Sequence, residues 1–287
     1  MRERALRIGK PTPLIGVSSE PEVFDPSLPA LIVLNSGVMH HVGACRLSVK
    51  IARAAAAGGL LAVRFDYSGI GDSEPRRGSD AFEEVSLREC AEVMDYLQRT
   101  RGVERFILYG LCSGADAAYN TARADARVVA IAQIDAYCYI TPRYYIEYYL
   151  PILFHGERWR SFLGRLWQRF TGRALPAPGP APAEAQDDAN FEIPTYTRIF
   201  PPRDAVADGL RALVARGVRL FVLFTGGEPH YNHLGQYRDS FRDVPFGDQL
   251  EVAYHPETNH IITQPDSQAR IVRAIAGWAL DVAGAAR

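Results

Sequence analysis

The chain carries no excess of either charge: 32 basic against 33 acidic residues leave a formal net charge of −1 over 287 residues. Without a basic surplus to neutralise phosphates, an electrostatic nucleic-acid binder is not expected. Long apolar runs are also missing. Arg53, Arg64 and glycines break the most hydrophobic stretches before they reach the roughly 20 residues of a membrane helix, so no membrane insertion is expected. The opening MRERALRIGKPTPLIGV is charged and has no apolar core of the kind a secretory leader carries, and a cytoplasmic location is the expectation. Cysteine is scarce. Cys45, Cys90, Cys112 and Cys138 are scattered, with no CxxC pair and no metal-ligand spacing. That argues against a disulfide-stapled secreted domain, and neither a metal nor a cofactor is expected.

What is present is alternation. Strand-like runs at 31–35, 60–66, 105–110, 128–135, 219–225 and 249–255 are separated by helical patterns at 46–57, 81–101, 113–123, 205–216 and 265–283. Short apolar runs between amphipathic helices predict an α/β domain with a mostly parallel sheet covered on both faces. Residues 137–204 interrupt the pattern. They begin with the aromatic YCYITPRYYIEYYLPILF and continue into the Pro/Ala-rich ALPAPGPAPAEAQDD. We expect a core of residues 1–136 and 205–287, with 137–204 as an inserted lid or cap.

The stretch YGLCSGADAA, residues 109–118, follows a strand and opens a helix. A strand, a tight turn and a helix form the setting of a nucleophile elbow, in which small residues stand two positions either side of the nucleophile. Cys112 is flanked in this way by Gly110 and Gly114, whereas Ser113 would be flanked by Leu111 and Ala115. Cys112 is therefore the expected nucleophile. Ser113 would supply a backbone N–H to an oxyanion, and the helix N-terminus would favour the thiolate. Val38, in LNSGVMHHVG after the first buried strand, would supply the second oxyanion donor; a plain tight turn is the alternative there.

A nucleophile needs a base. His260, in NHIITQPD after the last strand, reaches the sheet edge where the C-terminal ends of parallel strands gather a site. The carboxylate that orients it is expected to be Glu228, in FTGGEPHYN, with Asp135 at the end of the run 128–135 as the alternative. His40, His230 and Tyr231 are candidate substrate contacts, and DYSGIGDSE, residues 66–74, reads as scaffold.

Four segments, LNSGVMHHVG, RFDYSGIGDSE, YGLCSGADAA and NHIITQPD, stand in the order found in the α/β-hydrolase superfamily, which the chain resembles. More narrowly it is similar to serine-aminopeptidase-like hydrolases found alongside exosortase and exopolysaccharide genes. The resemblance implies an eight-stranded, mostly parallel sheet with a helical lid after the sixth strand. It also implies nucleophile, acid and histidine in that chain order. Two departures are plain: a cysteine where most members carry serine, and a glutamate where aspartate is commoner. Cysteine elbows are similar to those of dienelactone hydrolases, polyhydroxyalkanoate synthases and acyl-shuttling enzymes of nonribosomal peptide pathways.

A thiolate attacking a carbonyl yields a thioester acyl-enzyme, which keeps the acyl group activated. The expected function is a thioesterase or acyltransferase on a small-molecule acyl substrate, carried on coenzyme A or a carrier protein. An esterase or lactonase of the dienelactone type is the alternative. A catalytically silent fold that binds a ligand is the third reading.

Overall fold

The computed structural model describes residues 1–76, 81–154 and 198–285. The chain divides into two compact units, one of Met1–Ile140 with Phe200–Arg287 and one of Thr141–Ile199. In the first unit the strands are β1 Arg2–Ile8, β2 Leu14–Glu20, β3 Ala30–Val33, β4 Ala62–Phe65, β5 Phe106–Leu111, β6 Val128–Ile134, β7 Arg219–Thr225 and β8 Leu250–His255. They form one sheet in the order β1-β2-β4-β3-β5-β6-β7-β8. The pairs β1–β2 and β2–β4 are antiparallel, and every pair from β4 onward is parallel.

The inner strands are buried on both faces, and their residues alternate between two cores. Ile32, Phe106 and Leu108 pack with the helices α2 (Phe82–Arg101), α3 (Ser113–Ala124) and α5 (Arg203–Ala215). Leu31, Val33, Ile107 and Tyr109 pack on the other face with α1 (Leu47–Ala57) and α7 (Pro265–Ala285). A further short helix, α6, spans Gln236–Ser240. The six runs read from the sequence are strands within two residues at each end. The resemblance had implied two more strands, and these are the N-terminal pair β1 and β2. Arg2, Glu3, Arg4 and Arg7 put charge on both faces of β1, so no apolar run marks it.

In the second unit, α4 (Pro142–Phe154) begins with Thr141, whose hydroxyl accepts the Tyr144 N–H at 3.3 Å. Tyr144 and Tyr148 stack one turn apart, and Tyr145, Ile146, Tyr148, Tyr149 and Leu150 are exposed. The insertion leaves the sheet after β6. The Pro/Ala-rich stretch lies outside the described residues. Among the described residues no helix is long and apolar enough to cross a membrane.

Candidate active site

The site begins where β5 stops. Cys112 stands between β5 and α3 with φ 54° and ψ −118°. Few residues with a Cβ adopt a positive φ, and here the neighbours hold it. The Cys112 N–H donates to the Ile134 carbonyl at 2.9 Å, extending the pairing of β5 with β6. Its carbonyl accepts the N–H groups of Ala115 and Asp116, starting α3. The flanking glycines are steric requirements. A Cβ on Gly110 would lie 2.1 Å from the Gly114 backbone, and one on Gly114 would lie 2.5 Å from the Asn35 carbonyl oxygen.

The register of the sheet puts the acid next door. Leu111 of β5 pairs with Ile134 of β6, so Asp135 ends its strand beside Cys112. Asp135 also has a positive φ, 51°. Its N–H donates to Leu223 on β7, and its carboxylate is buried. One carboxylate oxygen accepts the Thr225 N–H at 2.8 Å; the other accepts the Thr225 hydroxyl at 2.8 Å and meets His260 Nδ1 at 2.6 Å. Thr225, at the end of β7, braces this carboxylate, a role the sequence reading missed.

His260 is one third exposed and sits in a turn closed by Ile262 N–H to the Asn259 carbonyl. Asn259 clasps Thr263 through both side-chain atoms, and Ile262, at φ 53°, is fully buried. Asp135 hydrogen-bonds the ring at Nδ1, and Cys112 acts on it as a second partner that favours the charged form. The Asp135 bond, followed by the effect of Cys112, outweighs burial and pushes the imidazolium up from 6.5 to about 10. With Nδ1 on Asp135, the face toward the sulfur is Nε2.

The carboxylate assignment is thereby corrected. The carboxylate on His260 Nδ1 is Asp135, while Glu228, the expected acid, meets His230. Glu228 Oε1 accepts the His230 N–H at 3.2 Å and lies 3.1 Å from His230 Nδ1. The Glu228 N–H donates to the Thr225 carbonyl at 3.3 Å, closing the turn ahead of it. The two glycines ahead of Glu228 serve the histidine loop instead: a Cβ on Gly226 would strike the Pro256 carbonyl, and one on Gly227 would lie 2.5 Å from His260 N.

Tyr231 is also corrected. Expected at the substrate, it is 3% exposed, stacked on Phe224 at 3.7 Å, with its hydroxyl donating to the Leu234 carbonyl. It is a core residue. His230 is half exposed beside Phe200, and His40 is exposed, its ring accepting the Val42 N–H. Neither contacts the Cys112–His260–Asp135 group through a hydrogen bond among the described residues.

The loop after β3 reaches the elbow. The Gly37 N–H donates to Ser113 Oγ at 2.6 Å, and Val38, the next residue, is 84% exposed. Behind it Asp66 braces the site's floor. One of its oxygens accepts Asn35 Nδ2 and the His41 N–H; the other accepts His41 Nδ1 and the Asp72 N–H. Burial alone would raise the Asp66 carboxyl, but the bonds from His41, Asp72 and Asn35 outweigh it and hold the carboxyl below its usual value. His41, Asp66 and Asp72 converge closely enough to suggest a metal ligand set. The Asp66 oxygens already serve four N–H donors, which makes the cluster a loop brace.

No protein-family model and no curated protein matches the chain. Solved structures do. The chain is similar to a proline iminopeptidase of Mycobacterium smegmatis, with 18% identity over all of both chains and a TM-score of 0.61. Est1E of Butyrivibrio proteoclasticus matches at 14% identity over 97% of this chain and 98% of its own, with a TM-score of 0.56. Alpha/beta hydrolase domain-containing protein 10 from mouse matches at 14% identity over 97% and 98%, with a TM-score of 0.54. With its eight-stranded sheet and its elbow at the end of β5, the chain has the α/β-hydrolase fold.

Proposed function

We propose that the protein is an acyl-transferring enzyme that works through a Cys112 thioester. The observation that carries this reading is His260 held between two partners, Asp135 at 2.6 Å from Nδ1 and Cys112 beside it, with Cys112 at positive φ. Esterases among the solved structures of this fold support an acyl substrate. The sulfur supports the finer choice. A serine would give an oxygen ester, whereas thiolate attack on a thioester exchanges one thioester for another at little cost and leaves the acyl group activated.

In the first step Cys112 Sγ bonds to the carbonyl carbon, and the π pair moves to oxygen. The imidazolium of His260 gives its Nε2 proton to the leaving thiol or alcohol as the carbonyl re-forms. Asp135 keeps Nδ1–H in place throughout. Neutral His260 then takes a proton from the acceptor, which attacks the acyl-enzyme and releases Cys112. Donors carried on coenzyme A or a carrier protein suit this chemistry.

Intact-protein mass spectrometry after incubation with acyl thioesters and simple esters tests the reading. An adduct that forms faster from thioesters, requires Cys112 and moves to an added amine or thiol is the expected result. An adduct formed only from esters and lost only to water would replace the reading with an esterase. No adduct from any donor would remove it.

A further inference from the structure

Ser113 is placed between the two parts of the site, and its side chain has an unused donor. The hydroxyl oxygen accepts the Gly37 N–H at 2.6 Å, from the loop after β3. The residue is 3% exposed. Its own proton meets no acceptor among the described residues, although a hydroxyl can donate once while it accepts. A buried O–H left without an acceptor is costly, so a site that keeps one is prepared for an acceptor that arrives. Cys112 precedes Ser113 in the chain, and Val38 follows Gly37. The Gly37–Ser113 bond ties the loop that carries Val38 to the elbow, and the N–H groups of Val38 and Ser113 are the two expected oxyanion donors.

Resting on the acyl-enzyme reading above, we infer that the Ser113 hydroxyl is a catalytic third donor to the substrate's carbonyl oxygen. As Sγ bonds to carbon, the π pair becomes an oxyanion that accepts the Ser113 O–H; the proton stays on Ser113. The Gly37 N–H fixes the rotor by occupying the oxygen's acceptor side, so the O–H needs little reorganisation as charge develops. Sequence patterning gives Ser113 a backbone role only. The side-chain role appears once the β3 loop is seen to lie against it.

The test compares wild type, Ser113→Ala and Ser113→Thr. Acylation of Cys112 by acetyl-coenzyme A and by p-nitrophenyl acetate is followed by intact mass, beside alkylation by iodoacetamide. Alkylation of sulfur develops no oxyanion. Ser113→Ala should slow acylation about a hundredfold and leave the alkylation rate within about twofold, and Ser113→Thr should recover most of the acylation rate. Equal acylation in wild type and Ser113→Ala would overturn the third donor alone. So would an alkylation rate that falls in parallel, because the elbow itself has then moved. A wild type that gains no acyl group from either donor overturns the acyl-enzyme reading, and the third donor with it.

Discussion

His260 Nδ1 lies 2.6 Å from a carboxylate oxygen of Asp135, although 124 residues separate the two along the chain. Two adjoining strand ends and one buried turn anchor, Ile262, make that meeting possible. The contact decides which acid serves the site, and it can be tested directly. Asp135→Asn should lower turnover about 10³- to 10⁴-fold, as expected when an orienting carboxylate is replaced by an amide. Glu228→Gln should leave turnover within about threefold, because that carboxylate faces His230. Steady-state kinetics of the two variants give the answer, and the reverse ranking would restore Glu228 as the acid.

The pair also predicts a dependence of stability on pH. Folding raises the His260 imidazolium from 6.5 to about 10. The folded state therefore holds this proton more tightly than the unfolded chain. The pairing contributes fully below about pH 6.5, fades as pH rises, and is gone above about 10. Thermal unfolding followed across that range should show a falling Tm. The fall should be shallower in His260→Gln, and an identical slope in both proteins would contradict the pairing.

Cys112 should be the only cysteine whose reactivity depends on His260. Iodoacetamide alkylation near neutral pH should slow at least about tenfold in His260→Ala, as expected for a thiolate that loses its cationic partner. Cys112→Ala should lose the acyl adduct, and Cys112→Ser should keep partial hydrolysis at most. Peptide mapping of the alkylated protein separates Cys112 from exposed Cys45.

Gly227→Ala probes the histidine loop by shape alone. The new Cβ would lie 2.5 Å from the His260 backbone nitrogen, and the loop must shift to admit it. Turnover should fall at least tenfold, in line with the sensitivity of catalysis to displacements of about 1 Å. The cost in stability should be smaller than that of Gly110→Ala, whose Cβ would collide with the Gly114 backbone at 2.1 Å inside the core. Chemical denaturation of both variants beside a kinetic assay makes the comparison.

Asp66→Asn should destabilise the fold by about 2 kcal/mol, the range for leaving buried hydrogen-bond donors without an acceptor. One amide nitrogen would face the N–H donors that the carboxylate now accepts. Urea denaturation measures the loss. A change below about 0.5 kcal/mol, the size of an ordinary surface substitution, would show that the brace is dispensable.

Much of this architecture was legible in the order of residues alone. The apolar runs of β3 to β8 read as strands because they are short and bounded by turn residues, and all but the half-buried β8 are buried. The spacing Gly110–Cys112–Gly114 selected Cys112 over Ser113, since a Cβ at either glycine position collides with backbone. His260 was readable from its place after the last parallel strand. Local composition could not decide which carboxylate meets it. Asp135 and Glu228 both follow strands, and only the register of β5, β6 and β7 sets Asp135 beside Cys112 with Thr225 behind it. β1 carries charge on both faces and β2 mixes apolar residues with Gly16, Ser18, Ser19 and Glu20, so pattern alone gave them no signature; pairing with β4 places β2, and pairing with β2 places β1. Tyr231 stood as a candidate substrate contact, but its partner Phe224 sits seven positions back on β7, a neighbour only across a turn. Residue spacing determines what a segment can become. Which side chains then share a proton or a stacking face depends on distances between segments, and only the folded chain sets those.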